Sequence, residues 1–140
     1  MKKIIISLIM TTLICSSSLY GAEQGNGYKH RITSPDGSLE VSVLVNENIV
    51  WLAKKNGELV GKTSGVSMEL EEHGILGEAP EVKDVFYESN EGVIETDFYK
   101  KSEVPNNYEE LHVVFEENFK VIFRVYNDGM AYRFVTFFDD

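Results

Sequence analysis

Apolar and polar positions alternate with a period of two along almost the whole chain. Leu39, Val41, Val43 and Val45 are separated by Glu40, Ser42 and Leu44. Val66, Met68 and Leu70 are separated by Ser67 and Glu69. Phe119, Val121, Phe123 and Val125 alternate with Lys120, Ile122, Arg124 and Tyr126; Tyr132, Phe134, Thr136 and Phe138 alternate with Arg133, Val135 and Phe137. Successive side chains of a strand point to opposite faces, so this pattern predicts strands with one core face, except in the last hairpin, where Ile122, Val135 and Phe137 make the second face apolar too and both faces are expected to be covered. No window keeps a helical period over three turns.

Turn chemistry divides the strands. Ser34-Pro35-Asp36-Gly37 combines a fixed φ at proline with a glycine, a strong turn signal. Asn56-Gly57 is a two-residue hairpin signal. Asn127-Asp128-Gly129 reads as the turn of a last hairpin, where Gly129 can take positive φ without a Cβ clash and Asn127 and Asp128 tolerate the same region. Further strands are expected at His30–Thr33, Ile49–Ala53, Glu58–Lys62, Val82–Tyr87, Val93–Tyr99 and Tyr108–Phe115. His73-Gly74 and Leu76-Gly77 read as breaks, and Pro105-Asn106-Asn107 as a loop. Eight to ten short strands predict an all-β fold, an antiparallel β-sandwich, with Leu39, Val41, Val43, Trp51, Phe123 and Phe134 buried.

The first 22 residues follow a different rule. Lys2 and Lys3 precede an apolar run from Ile4 to Ile14, then Ser16–Ser18 and Gly21-Ala22. This is the pattern of a secretory signal peptide, 1–22, which leaves a mature domain at 23–140. Cys15 is the single cysteine, and Ile14 before it does not suit bacterial lipidation. The mature chain therefore has neither a disulfide nor a thiolate metal site. Without Lys2 and Lys3, 11 basic residues face 23 acidic ones, a balance of −12 with histidines neutral. Nucleic acid and anionic membranes are poor partners for such a surface.

Candidate chemistry is sparse. Trp51 offers a flat ring to a sugar, but a strand tryptophan beside Ile49 and Ala53 is more often core. His30, His73 and His112 are scattered and lack zinc-site spacing. His112 shares a strand face with Tyr108, Glu110 and Val114, where a structural role outweighs a catalytic one. Glu71-Glu72, Glu109-Glu110, Glu116-Glu117 and Asp139-Asp140 are acidic pairs. Neighbours on a strand face opposite ways, so none forms a catalytic couple by spacing alone, and a hydrated rim is the expectation. Asp128 is expected to cap its own turn. No catalytic, cofactor-binding or metal-ligating residue is assigned.

Several stretches resemble the amino-terminal domain of glycoside hydrolase family 97. They are Ile32–Gly37, Gly65–Leu70, Asn107-Tyr108-Glu109-Glu110-Leu111 and, most specifically, Phe123–Phe134. The resemblance covers nearly all of the mature chain. It implies part of a β-supersandwich, with the domain at 23–140 incomplete. It also implies a periplasmic or secreted parent that hydrolyses α-glucosides or α-galactosides. The parent's catalytic (β/α)8 barrel would supply the acid, base or nucleophile, and a calcium ion would lie beside its active site, held mainly by glutamates beyond this chain. The expected role is thus a non-catalytic domain supporting the barrel and the substrate entrance, with that barrel as partner and an α-linked oligosaccharide as the parent's substrate. Two alternatives remain from the residues alone: a free-standing carbohydrate-binding β-sandwich and a purely structural secreted domain.

Overall fold

The computed structural model describes residues 28–95 and 103–138. The signal segment, Cys15, much of Val93–Tyr99 and Asp139-Asp140 lie outside them. Twelve strands occur in chain order: β1 Tyr28–Thr33, β2 Leu39–Val45, β3 Ile49–Lys55, β4 Glu58–Lys62, β5 Met68–Leu70, β6 Gly74–Leu76, β7 Val82–Asn90, β8 Val93–Glu95, β9 Glu103–Pro105, β10 Tyr108–Phe115, β11 Phe119–Val125 and β12 Met130–Thr136. Neither α- nor 3₁₀-helix is present among the described residues.

Two four-stranded antiparallel sheets carry the fold, one ordered β1-β2-β3-β4 and the other β12-β11-β10-β7. Two small hairpins, β5–β6 and β8–β9, accompany them. The alternation in β2 works as the sequence predicts: Leu39, Val41, Val43 and Val45 are buried and the residues between them are half-buried. From the second sheet, Leu111, Val113, Phe115, Phe119, Val121, Phe123 and Val125 join the same core. Seven buried residues of this length remove enough apolar surface to bind the sheets face to face, at roughly 1.5–3 kcal/mol for each large side chain. Phe115 stacks on Phe119 at 4.6 Å across the β10–β11 turn. Trp51 and Phe134 are half-buried against the core rather than enclosed by it.

The turns show which signals held. Asn56 and Gly57 take φ of 49° and 87°, the double positive φ that a tight hairpin needs. At the last hairpin, the Tyr126 N–H donates to the Gly129 carbonyl at 2.8 Å. Gly129 does not adopt positive φ there, so the turn leaves glycine's extra freedom unused. The sequence places Gly74 in a break, yet Gly74–Leu76 forms β6 and pairs with β5. The turn lies in Glu71–His73 instead, and three residues are too short a run for alternation to reveal.

Candidate functional site

The outer face of the second sheet, turned away from the core, holds the most organised chemistry. Strand alternation sends Tyr108, Glu110 and His112 to this face while Leu111 and Val113 enter the core. Register then places Glu110 opposite Arg124 and His112 opposite Ile122 on β11, with His112 opposite Phe86 on β7.

Glu110 is the centre of the network. It is 5% exposed, and its Oε1 accepts from Arg124 Nε at 2.6 Å. Its Oε2 lies 3.1 Å from His112 Nε2, which also lies 3.5 Å from Glu88 Oε2. Burial pushes the Glu110 carboxyl up, but the hydrogen bonds from Arg124 and His112 outweigh it and hold it below the usual glutamate range. For Arg124, burial acts downward, and hydrogen bonds with Tyr126 and Glu110 raise its pKa overall. The guanidinium sits 3.8 Å from the Tyr108 ring centroid and donates to the Tyr126 hydroxyl at 3.2 Å. His112 completes the layer by stacking on Phe86 at 4.4 Å.

Glu88, Glu110 and His112 bring their ligand atoms within 4.8 Å of one another, which raises a metal reading. The donor set does not fit one. Glu110 already gives one oxygen to a guanidinium. A metal on His112 Nε2 would put the proton on Nδ1, and that atom is buried without a partner. Ligating histidines ordinarily donate from the second nitrogen to an acceptor. Calcium fits still less well, because it takes six to eight oxygen ligands. The arrangement instead suits a hydrogen-bonded chain with the His112 proton on Nε2.

The remaining candidates are dispersed. Trp51 lines a shallow groove with Leu39, Ala53, Val60, Gly61 and Met130, and Asp128 stands at its rim. Gly61 lies so close to the Trp51 ring that an added Cβ would be 3.2 Å from it, so β4 covers part of the indole. His30 is partly buried, and burial alone pushes its pKa down. His73 stacks on Phe138 at 3.7 Å. Glu71 and Glu72 are exposed, as a hydrated rim requires. Glu116 and Glu117 are exposed too but bind locally, to Lys83 Nζ at 3.1 Å and to the Glu81 N–H at 3.0 Å. Glu110 departs from the rim expectation altogether, because the opposed arginine allows its burial. At the last turn the side-chain hydrogen bond belongs to Asn127, not Asp128: Asn127 Oδ1 accepts from the Asp36 N–H at 3.0 Å.

A sandwich of two antiparallel sheets with a charged, aromatic outer face is the class that this geometry defines. It is the fold of the glycoside hydrolase family 97 enzyme of Pseudoalteromonas sp. strain K8. The structure of that enzyme in complex with acarbose superposes with a TM-score of 0.67 at 16% identity, over 76% of this chain and 17% of that one. A variant in complex with panose gives the same TM-score, identity and coverage. The family model described as Glycosyl-hydrolase 97 N-terminal matches residues 32–138, and the chain belongs to that family. It is 31% identical over 136 residues to a retaining alpha-galactosidase of Bacteroides thetaiotaomicron. That match takes in 97% of this chain but only 20% of the relative, so the chain spans about a fifth of its length.

Proposed function

We propose that this chain is the non-catalytic amino-terminal part of an exported α-glycosidase, where it supports the catalytic barrel and shapes the substrate entrance. The supporting observation is the match of residues 32–138 to the amino-terminal family model, within a relative about five times as long. The relative's α-galactosidase activity makes a terminal α-galactoside one substrate class for the parent, and the α-glucoside class is the other. In either case the parent's barrel carries the reacting carboxyl groups, and its calcium ion is held by residues beyond Asp140. The residues here contribute a rigid sheet.

Export to the periplasm or outside the cell follows from the signal pattern of residues 1–22. Amino-terminal sequencing of the secreted product should start near Glu23; a product starting at Met1 overturns this part.

A free-standing sugar-binding domain is less well supported, since Trp51 has part of its ring against Gly61. The deciding experiment is to sequence the genomic DNA downstream of the Asp140 codon and the corresponding transcript. A reading frame continuing into barrel-encoding sequence is the expected result. A stop codon followed by an unrelated gene overturns the proposal and favours the free-standing domain.

A further inference from the structure

The edge of a sheet is a row of unpaired N–H and C=O groups, and folded proteins ordinarily protect it with charges, proline, bulges or short strands. The two four-stranded sheets end on β1, β4, β7 and β12. β1 carries Lys29 and Arg31. β4 is five residues long, and its register with β3 shifts between Ala53 and Lys54. β7 carries Lys83, Asp84 and Glu88, and the register between β10 and β7 shifts between Val114 and Phe115. β12 has no such protection: it is seven residues long, carries Arg133 as its single charge and pairs with β11 without a register shift.

The free groups of β12 alternate along the strand. The Phe137 N–H donates to the Asn118 carbonyl at 2.8 Å, so the odd-numbered residues bond toward β11. Met130, Tyr132, Phe134 and Thr136 therefore turn their N–H and C=O groups to the open edge. The outer face of the same segment carries a knob and a hollow. Phe137, just past the end of β12, is 49% exposed. At Ala131 the small side chain leaves a hollow of about 150 Å³ over Ile122, flanked by Arg124, Tyr126 and Arg133. Glu110 also lines the hollow and neutralises Arg124, so no anion is called for. An aromatic ring suits it, with an apolar floor beneath and the Arg133 guanidinium beside.

We infer that a second copy of this chain adds to β12, strand against antiparallel strand, about a two-fold axis at Phe134. That axis sets Phe137 of each copy opposite Ala131 of the other, and Arg133 opposite Val135. Facing residues of an antiparallel pair lie on the same side of the sheet, so each Phe137 ring reaches the hollow of the facing copy. One patch thus complements itself, as a two-fold interface requires. The Phe134 pair and both Tyr132–Thr136 pairs exchange their edge hydrogen bonds. Neighbouring axes do worse. An axis at Arg133 opposes two like charges. An axis at Tyr132 carries Phe137 past the Ala131 hollow. The inference concerns the chain Met1–Asp140 itself and does not rest on the functional reading above.

The test expresses the whole chain with Cys15→Ser and follows its mass by analytical ultracentrifugation as concentration rises. A monomer–dimer equilibrium is expected; a monomer at every concentration overturns the inference. Arg133→Cys and Val135→Cys are then made as separate chains in the same background. Facing residues at that non-hydrogen-bonded position lie about 4.5 Å apart at Cα, within reach of a disulfide. Mild oxidation of the mixture should give at least about ten-fold more covalent dimer than either chain alone. Self-association without that link, or equal linking in Arg133→Cys alone, overturns the pairing about Phe134. Phe137→Ser should raise the dimer dissociation constant at least about ten-fold. If that variant loses cooperative unfolding, Ala131→Leu, which fills the hollow from an exposed position, should weaken the dimer in its place. An unchanged dissociation constant overturns the contact between knob and hollow.

Discussion

The backbone N–H of Asp36 donates to the side-chain oxygen of Asn127 at 3.0 Å, across 91 positions of sequence. Asp36 lies in the turn between β1 and β2, and Asn127 in the turn between β11 and β12. Lys55 Nζ adds a hydrogen bond to the Asn127 carbonyl from the end of β3. The two sheets are thus latched at one end by polar groups outside the core. Asn127→Ala should remove the Asp36 bond and lower stability by about 0.5–1.5 kcal/mol, the usual net worth of one hydrogen bond. Urea unfolding should show a lower midpoint with an unchanged slope.

Both of these turns were legible, because Ser34-Pro35-Asp36-Gly37 and Asn127-Asp128-Gly129 announce themselves locally. Their meeting was not, since nothing in either segment names the other. The same division holds for the outer-face network. Period-two alternation put Glu110 and His112 on one face, and Arg124 and Tyr126 on one face of the next strand. Pairing Glu110 with Arg124 needed the register. A signal for it existed: the two residues are equidistant from Glu117 in the connecting turn, as an antiparallel hairpin demands. Without that step, Glu110 reads as a rim residue. Gly74–Leu76 was missed for another reason, because its strand identity comes from pairing with Met68–Leu70 rather than from any pattern of its own.

Asp36 should give stability an acid-sensitive component. Its Oδ1 accepts from the Ser34 hydroxyl at 2.7 Å and from the Ser38 N–H at 2.9 Å. These bonds, the Ser34 one foremost, hold its carboxyl down to about 2 from an ordinary 3.8. A carboxyl lowered by folding favours the folded state when ionised. Its contribution is present above pH 3.8 and disappears as the pH falls through about 2. Asp36→Asn should therefore be less stable than the parent at pH 7, with the gap narrowing from pH 4 to pH 2. Urea midpoints of both proteins across that range measure it; a gap that is constant or widens in acid contradicts the assignment.

Breaking the Glu110–Arg124 pair from one side should hurt more than replacing it whole. Glu110→Leu leaves a guanidinium facing apolar groups. The Arg124 side chain is 30% exposed, so water softens the loss. The expected cost is about 2–4 kcal/mol, slightly under the 3–5 kcal/mol seen when a fully buried pair loses one partner. Glu110→Leu combined with Arg124→Met should recover part of that loss. A double-mutant cycle in denaturant reads the coupling, and purely additive losses would show that the pair is not energetically linked.

Gly77 should be intolerant of any side chain. Its φ is +96°, and an added Cβ would lie 2.5 Å from the Val66 carbonyl oxygen. That carbonyl cannot retreat freely, because the Val66 N–H is bonded to the Ile49 carbonyl at 2.8 Å. Gly77→Ala should cost at least about 2 kcal/mol, combining left-handed strain with a backbone clash. Gly129→Ala is the comparison. No atom lies within 4 Å of its added Cβ and its φ is not positive, so its effect should stay within about 0.5 kcal/mol. Equal losses in the two variants would refute the steric account.

The mature chain by itself should turn over no glycoside. Hydrolysis needs two carboxyl groups roughly 5–10 Å apart across the bond, one tuned as an acid and the other as a base or nucleophile. Among the described residues, Glu88 and Glu110 come together in the manner of such a couple, with their oxygens meeting on His112. Glu110 fails the acid's role, since Arg124 and His112 lower its pKa where a general acid needs it raised. It fails the nucleophile's role as well, because Arg124 and His112 already engage one oxygen each and its burial keeps a sugar carbon away. Glu88 alone, on an exposed strand edge, has nothing to hold substrate in line. Purified mature chain incubated with aryl α-glucoside and aryl α-galactoside, with calcium present, should release no aryl alcohol above the buffer rate. Release that survives repurification and disappears in Glu88→Gln or Glu110→Gln would overturn this prediction and place a working couple on the outer face.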